Sequence, residues 1–480
     1  MDVVVDTRPL WLILVGRSGR LLRMGAGIAV YFVISQMPAP AGLEPAAQQA
    51  LAVFALCVVF WVLNVLPLMI TSLLAIALIP MAGVMPARQA YSYFGNSAVF
   101  FILGAFILAA CLMKSGLSTR MSLVCLRRFG GSPRKLLLSI FLMNAFMAFW
   151  MSEHAVAAMN FPIVAEIVAV LGLRPFRSNY GKALFLAMAW GSTIGGVATL
   201  LGGGRAPLAL AILDEATHGA PSFTFLSWSL HALPTVLVML AVGYFVITRW
   251  FPVDIDSVAE AEAALDEKVR ELGRVSYEEK MIGLVMLITV GAWISVGHEL
   301  GLANIAIAAV VVLFAMRLVA WRDVEAYVNW GIILMYGGAI CLGSALGESG
   351  AALWLAERSL GLWADSQATA IASISLFSWL LTEAMSNSAV TALMMPIAIG
   401  MAHEIGMAVA LVAPVVAVPA GLAFAFPIGT PANAIAYSSG YLRLRDLIVP
   451  GMVMGLLSWL VFNAMTTFYW PWLERLLGTV

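Results

Sequence analysis

Long apolar segments recur along the whole sequence and constrain its fold more than any other feature. Examples are 51–67, 99–113, 230–247, 281–296, 305–320 and 452–468. A bilayer core is about 30 Å thick, and roughly 20 apolar residues cross it as a helix. Only 11% of the residues are charged, whereas soluble domains carry about 25%. We therefore predict an all-α polytopic membrane protein with about 11 transmembrane helices.

The charge balance and the cysteines exclude two other classes of protein. Lys and Arg number 26, as do Asp and Glu, so the formal net charge is zero and no nucleic-acid partner is expected. The cysteines lie in or beside apolar runs without the spacing of a metal site, and no disulfide framework is expected. They are Cys57, Cys111, Cys125 and Cys341.

The placement of Lys and Arg predicts which loops face the cytoplasm, because short basic loops are retained inside. The segment 111–137 carries six cations and no acid. We expect it in the cytoplasm, together with 174–182 and 443–445. The acidic segment 214–221 should lie outside.

The two ends and the centre of the chain complete this topology. Residues 1–44 should hold a cytoplasmic N-terminus and the first transmembrane helix, because arginines precede the first span without a cleavage site. The charged stretch 253–280 should form an amphipathic cytoplasmic linker helix. We place the protein in a bacterial inner membrane, with its C-terminus on the periplasmic or extracellular face.

The linker separates two halves that align at an offset of 234 residues, for example Met151-Ser152 with Met385-Ser386. The counterpart of the basic segment, 345–371, carries three acids and one cation. One copy should therefore face in and the other out. We predict an inverted-topology repeat of 45–252 and 281–480, a plan that places the substrate near the membrane midplane.

Two polar motifs interrupt the second half. Ser386-Asn387-Ser388 breaks an apolar segment, and polar backbone at membrane depth needs protein or water around it. We predict a re-entrant hairpin with its tip at 386–388. Two prolines, a glycine and an asparagine within seven residues predict a discontinuous helix broken at 429–433. The alternatives are a helix-packing contact and a simple kink. Oxygens at such points suit a hard cation, and helix N-termini suit an anion.

The first half differs chemically at the equivalent positions. Its tip, 152–154, reads Ser-Glu-His, and its break, 202–206, holds Arg205 after three glycines. Ionisable groups within apolar segments are costly and mark functional sites by default. The alternative is a structural ion pair inside the bundle. We predict that Arg205 lies close to the tip, where a guanidinium beside Glu153 would supply positive charge without a bound ion.

The second-half motifs resemble the divalent anion/sodium symporter family, and the resemblance covers about residues 45–475. Ser386-Asn387-Ser388 is similar to the second hairpin tip of that family, and Gly429-Thr430-Pro431-Ala432-Asn433 to its second break. The resemblance implies an elevator-type homodimer with two sodium sites beside one anionic substrate. The second sodium site would use Thr382, Met385, Asn387, Gly429 and Asn433.

The first half departs from the family pattern. The first tip of the family reads Ser-Asn-Thr, whereas this chain has Ser152-Glu153-His154. The position equivalent to Thr382 is Ala148, and Gly203 and Ala206 replace the residues expected at the first break. The first sodium site therefore lacks its ligands, and we predict at most one coupled sodium ion.

We predict a secondary active transporter of small divalent anions, with a dicarboxylate as the first choice and sulfate or another oxyanion next. Neither enzyme activity nor an organic cofactor is expected. The alternatives are a proton-coupled carrier that uses Glu153 and His154, an anion exchanger or uniporter, and a membrane-embedded acid–base enzyme. The predicted substrate contacts are Ser152, Glu153, His154, Gly203, Arg205, Asn387, Ser388, Thr430 and Pro431.

Overall fold

The computed structural model describes residues 10–129, 131–219, 223–360 and 366–477, whose regular secondary structure is helical throughout. The first half and the linker contain α1 (Leu10–Gln36), α2 (Pro45–Val62), α3 (Leu68–Met81), α4 (Ala87–Ser92), α5 (Ser97–Lys114), α6 (Leu117–Phe129), α7 (Pro133–Met147), α8 (Glu153–Val170), α9 (Asn179–Gly195), α10 (Arg205–Ala216), α11 (Phe225–Trp250) and α12 (Ala259–Glu271).

The second half begins directly after the linker. It contains α13 (Tyr277–Ser295), α14 (Gly297–Leu300), α15 (Leu302–Ala315), α16 (Trp321–Val324), α17 (Trp330–Glu348), α18 (Ala351–Leu360), α19 (Gln367–Ala384), α20 (Asn387–Glu404), α21 (Val412–Ala420), α22 (Pro431–Ser438), α23 (Leu444–Ala464) and α24 (Trp470–Leu477). Short 3₁₀ turns lie at Tyr93–Gly95 and Val409–Leu411, and a π-helical turn lies at Met465–Tyr469.

Six helical stretches in the described part of the chain are long and apolar enough to cross a membrane. They are Pro45–Val62, Ala87–Lys114, Glu153–Val170, Phe225–Trp250, Trp330–Glu348 and Leu444–Leu476. Shorter apolar helices occur at Leu21–Gln36, Leu68–Met81, Leu302–Ala315 and Val409–Ala420. These helices confirm the predicted all-α polytopic membrane fold, while the number of about 11 spans stays a prediction.

Local capping signals explain where several helices begin. Ser132 Oγ accepts the N–H of Lys135, and Pro133 occupies the first position of α7, where its missing N–H costs nothing. At α13, Ser276 and Glu279 form a reciprocal capping box. Strong helix-start residues therefore lie at the beginning of α7, in the first half, and at the beginning of α13.

Helix boundaries in the two halves repeat at the offset of 234 residues that the sequence indicated. Leu68–Met81 in the first half corresponds to Leu302–Ala315, and Glu153–Val170 corresponds to Asn387–Glu404, at both ends. The agreement extends from α3 and α15 to α8 and α20. It supports the predicted division into two repeats.

Contacts between the halves are reciprocal. Lys114 Nζ lies 3.3 Å from Asp323 Oδ1, and their repeat counterparts Glu348 and Gln89 are joined by a 3.0 Å hydrogen bond. The same exchange of partners holds for whole helices. In the first half α3 packs against α17 of the second half, and in the second half α15 packs against α5 of the first half. Each of α5 and α17 ends beside the segment that precedes the other, so the two helices run antiparallel. An exchange of equivalent partners indicates a two-fold relation, which supports the predicted inversion.

The charged linker folds partly as α12 and binds the basic segment. Arg120 Nε donates to Glu279 Oε1 over 2.7 Å, and its other guanidinium nitrogens donate to carbonyl oxygens just after α12. Arg127 Nε lies 2.9 Å from Asp266 Oδ1 in α12. The predicted helix over 253–280 is therefore shorter than expected, and its last residues belong to α13.

The other predicted cytoplasmic segments meet on this same side. Asp254 in the linker accepts the N–H groups of Asn179 and Tyr180, which begin α9. Lys182 Nζ lies 3.0 Å from Asp446 Oδ2 in α23. The linker and the basic segments thus form one connected surface, as placement in a single compartment requires. Which compartment this surface faces stays a prediction.

We expect an impermeant maleimide to label Arg134→Cys only after permeabilisation and His218→Cys in intact cells. Both positions are exposed, one in the basic segment and one in the acidic segment. The background should lack the native cysteines, which are free thiols. Labelling of Arg134→Cys from outside intact cells would contradict the assigned orientation.

Candidate functional site

Both halves contribute to one cavity of about 350 Å³. Its polar walls come from the tip and the break of each half, and the remaining wall comes from the starts of α3 and α17. Most predicted site residues are therefore brought together. Those that line the cavity are Glu153, His154, Gly203, Arg205, Asn387, Ser388, Gly429 and Pro431.

The two hairpin tips meet through equivalent residues. Glu153 is the first residue of α8 and Asn387 the first of α20, and the two positions differ by the repeat offset. Asn387 Nδ2 donates to Glu153 Oε1 over 3.2 Å. A two-fold axis through the tips would bring each residue beside its own counterpart. This contact therefore supports the predicted inverted repeat.

A buried ion pair joins the first tip to the first break. Arg205 opens α10, and its Nη1 lies 3.2 Å from Glu153 Oε2. The exposed fractions of the two side chains are 2% and 0%. The predicted proximity of Arg205 to the tip is confirmed. A lone charge at the bilayer centre costs at least about 2.5–3.5 kcal/mol, so each group requires the other.

Three glycines make room for this pair. A Cβ atom on Gly203 or on Gly421 would overlap the guanidinium of Arg205. A Cβ atom on Gly196 would lie only 2.7 Å from Glu153 Oε2. The glycine at 203 thus allows the close approach of a side chain to the backbone.

His154 is the second ionisable group at the first tip. Its Nδ1 lies 3.7 Å from Glu153 Oε1, and 32% of its side chain is exposed, whereas that of Glu153 is fully buried. The imidazole lines the cavity beside the carboxylate. Of these two neighbours, His154 is therefore the one that a ligand reaches first.

Neutral oxygens cluster beside the second tip. Thr382 Oγ1 lies 2.8 Å from Asn387 Oδ1 and 2.7 Å from the carbonyl oxygen of Ala420. One hydroxyl hydrogen serves only one of these acceptors at a time. The cluster therefore holds an oxygen without a proton partner, which is the arrangement that a hard cation satisfies.

The other predicted sodium ligands are Gly429, Met385 and Asn433. Gly429 packs against the backbone of Thr382, since a Cβ atom there would lie 2.9 Å from the Thr382 carbonyl oxygen. Met385 has an extended backbone between α19 and α20. Asn433 Oδ1 is buried and has no hydrogen-bond partner among the residues that the structure describes. The second half thus contains buried neutral oxygens at Thr382, Asn387 and Asn433, and their binding of a sodium ion stays a prediction.

Glu383 holds the second break in place, a role that the sequence analysis missed. Its carboxylate accepts the N–H groups of Phe424, Ala425 and Phe426 over 2.9, 3.0 and 3.2 Å. The side chain is only 4% exposed. An acid within an apolar segment was the available signal, but the sequence does not show which backbone groups it binds.

The breaks are longer than predicted, and two predicted substrate contacts lie outside the cavity wall. Helix is absent over 196–204 and 421–430, whereas the expected breaks begin shortly before α10 and α22. Ser152 Oγ accepts the N–H of Ala155 and caps α8, and Thr430 Oγ1 caps α22 in the same way. These hydroxyls fix the helix ends that face the cavity.

Further cavity residues come from helices outside the tips and breaks. Asn329 caps α17 by accepting the N–H of Ile332, and Met69 and Met335 supply apolar wall. Asn329 carried a helix-start signal in the sequence. The two methionines carried none, because methionine is as common in a plain packing interface.

Residues 19–476 match the family described as "Sodium:sulfate symporter transmembrane region". The chain belongs to this family. The resemblance to divalent anion/sodium symporters is therefore confirmed, and the protein is a multi-pass, sodium-coupled anion transporter rather than an enzyme.

Curated proteins that are similar to this chain include the "Sodium-dependent dicarboxylate transporter SdcS" of Staphylococcus aureus strains MW2 and COL. Each is 27% identical over 95% of this chain and 92% of its own length. The YdaH transporter of Alcanivorax borkumensis has a TM-score of 0.50 at 14% identity, covering 80% of this chain and 88% of its own. MtrF of Neisseria gonorrhoeae has a TM-score of 0.56 at 12% identity, covering 97% and 96%. These two structures share the fold alone.

In this member of the symporter family, the first half does not repeat the contact between Thr382 and Asn387. Ala148 stands where the second half has Thr382. The carbonyl oxygen of Gly202 accepts the N–H of Glu153 over 2.9 Å. The guanidinium of Arg205 lies beside the carboxylate of Glu153. The residues present fit one cation site and one fixed ion pair.

We expect Arg205→Met to lower the free energy of unfolding by about 3–5 kcal/mol, because it leaves the Glu153 carboxylate buried without a cation. Combining Arg205→Met with Glu153→Gln removes both charges and should restore most of the loss. Thermal unfolding in detergent micelles measures both effects. Arg249→Met, at an exposed arginine, is the matched control. A double variant as unstable as Arg205→Met alone would show that the pair is unimportant.

Proposed function

We propose that this protein is a secondary active carrier that moves one small dicarboxylate together with one sodium ion. The observation that carries the proposal is the convergence of helix N-termini on the cavity. α8, α10, α20 and α22 begin at Glu153, Arg205, Asn387 and Pro431, and all these residues line it. Each helix N-terminus carries about half a positive charge from its aligned peptide dipoles. Such ends bind anions.

The arrangement of these helix ends favours a dicarboxylate over sulfate. Two of the helix ends belong to each half, so they suit a ligand with one anionic group at each end. A single tetrahedral oxyanion has only one anionic centre for the four helix ends. The cavity of about 350 Å³ lies in the size range of small-molecule sites. Ser388 and His154 add polar contacts between the two ends.

The coupling ion in this proposal binds at the second half alone. Thr382, Asn387 and Asn433 supply neutral oxygens there, and Gly429 lets the backbone approach. The SdcS relatives carry sodium dependence in their name. In the first half, Arg205 supplies a fixed positive charge where the family would bind another ion.

The transport movement in this proposal is an elevator motion of an inverted repeat within a homodimer. The reciprocal contacts between the halves support the repeat. The ion pair and the oxygen cluster both lie on the tips and breaks, so one rigid unit would carry substrate and sodium together. The linker and the scaffold helices would stay in place while this unit moves.

A carrier that couples a proton on His154 in addition to the sodium ion is the second candidate, and a charge count favours it. Glu153 and Arg205 cancel each other when both are ionised. A dicarboxylate with one sodium ion then leaves one net negative charge inside the membrane. A proton on His154, which lies 3.7 Å from Glu153 and faces the cavity, would neutralise it. In the first candidate, the helix ends compensate for this charge.

Uptake into proteoliposomes separates the two candidates. We expect a radiolabelled dicarboxylate to accumulate when a sodium gradient is imposed at equal pH, with a Hill coefficient for sodium close to one. Excess sulfate should compete weakly. Sodium-driven accumulation that an added inward proton gradient raises further would select the proton-coupled carrier. Exchange of internal for external dicarboxylate without either gradient would point to an exchanger.

We expect Thr382→Ala to raise the sodium concentration for half-maximal uptake by roughly tenfold, which corresponds to about 1.4 kcal/mol of lost ion binding. Thr289→Ala is the matched control, because that buried hydroxyl binds only the Val285 carbonyl of its own helix. Sodium titration of uptake measures both variants. Equal shifts in the two would show that the oxygen cluster does not bind the ion.

A further inference from the structure

Tyr336 of α17 makes a buried contact with the first break. Its hydroxyl donates to the carbonyl oxygen of Gly204, the residue just before α10, and its side chain is 0% exposed. The same carbonyl oxygen accepts the N–H of Leu208 over 3.2 Å, and its two lone pairs allow both bonds. A Cβ atom on Gly204 would lie 3.3 Å from the Tyr336 hydroxyl and 3.6 Å from Ser388 Oγ. The bond therefore ties α17 to the place where the first break passes the second tip.

This contact joins two parts of the molecule that move differently in the proposed function. The starts of α3 and α17 form a wall of the substrate cavity, whereas the tips and breaks would travel past that wall. The bond between Tyr336 and Gly204 must then break in every transport cycle. Because Tyr336 is fully buried, no water is at hand to replace the lost partner of its hydroxyl.

A second cavity of about 220 Å³ indicates where the wall for the opposite orientation lies. It opens at the starts of α5 and α15, on the other side of α10 from Gly204. The residues of α3 and α17 that line the substrate cavity have counterparts at the offset of 234 residues, and these line the second cavity. The substrate cavity has 67–69, 331–332 and Met335, and the second cavity has 301–303, 97–98 and Phe101.

The two walls differ at the position of Tyr336. Its counterpart is Ile102, which follows Phe101 and is 0% exposed within the apolar core. An isoleucine side chain has no hydrogen-bond donor. If the two halves exchanged their conformations, Tyr336 would take the apolar surroundings that Ile102 has now, and its hydroxyl would lose the carbonyl oxygen of Gly204. The bond therefore belongs to one orientation of the carrier and has no equivalent in the other.

We propose that Tyr336 is a one-sided catch, which holds the tips and breaks in the orientation that opens the cavity at the start of α17. That start lies on the linker face, since Asp323 just before α17 contacts Lys114 at the end of α5. The proposal rests on the movement in the proposed function. It gives Tyr336 a role in the balance between two orientations, without direct contact to the substrate.

Two reporter cysteines measure this balance in a background without the native cysteines. Ile428 lines the substrate cavity with 71% of its surface exposed, whereas its repeat counterpart Ile194 is 0% exposed. An exchange of conformations would bury the first position and expose the second. We expect an impermeant maleimide to label Ile428→Cys in inside-out vesicles and Ile194→Cys in intact cells.

We expect Tyr336→Phe to lower the ratio of the Ile428→Cys labelling rate to the Ile194→Cys labelling rate by roughly fivefold. This is the factor for about 1 kcal/mol from one net hydrogen bond. Tyr441→Phe is the matched control and should leave the ratio unchanged. The Tyr441 hydroxyl also donates to a carbonyl oxygen, that of Leu173 over 2.7 Å, but the two residues follow α22 and α8, which would move together.

The possible outcomes separate the catch from the proposed function. An equal ratio in the parent and in Tyr336→Phe, or an equal fall in Tyr441→Phe, would overturn the catch. Sodium-driven dicarboxylate uptake by the parent, measured alongside, shows separately whether the proposed function holds. If uptake persists while Ile194→Cys stays unreactive in every variant, both the movement and the catch are wrong.

Discussion

Glu153 and Arg205 meet at the centre of the protein with their side chains 0% and 2% exposed. Their pairing constrains everything around them, because either charge alone at the bilayer centre would cost at least about 2.5–3.5 kcal/mol. Glycine is required at 203 and 421 so that the guanidinium fits. The other carboxylate oxygen of Glu153, Oε1, accepts a hydrogen bond from Asn387 in the other half. One interaction therefore fixes a tip, a break and the contact between the repeats.

The two halves share a backbone plan but differ in their chemistry. Their hairpin arms begin and end at equivalent positions, and their helices exchange partners across the two-fold relation. The second half uses neutral oxygens from Thr382 and Asn387, which suit a mobile cation. The first half uses a covalently fixed cation, Arg205, held by its own acid. In the proposed mechanism, Arg205 keeps its charge throughout transport, whereas the proposed sodium site would gain and lose its charge with the ion.

The sequence was sufficient for the class of fold and for the closeness of Arg205 to Glu153, while the inverted repeat stays a prediction that the helix boundaries support. Hydropathy and the 234-residue offset depend on local composition, and a charge inside an apolar segment is conspicuous. Other features depend on packing between distant segments. Glu383 binds backbone N–H groups about forty residues away, and Met69 and Met335 line the cavity from separate helices. The lengths of the breaks also escaped prediction, because capping by Thr430 and closely packed glycines set the ends of the helices.

The most direct test of this account is the coupling stoichiometry, measured as the sodium gradient that just balances a known dicarboxylate gradient in proteoliposomes clamped at zero membrane potential. A carrier with one sodium site and a fixed Glu153–Arg205 pair should balance when the sodium ratio equals the inverse of the dicarboxylate ratio. The result should not change with pH. Balance at a sodium ratio near the square root of that value would require a second sodium ion, and it would contradict the central claim.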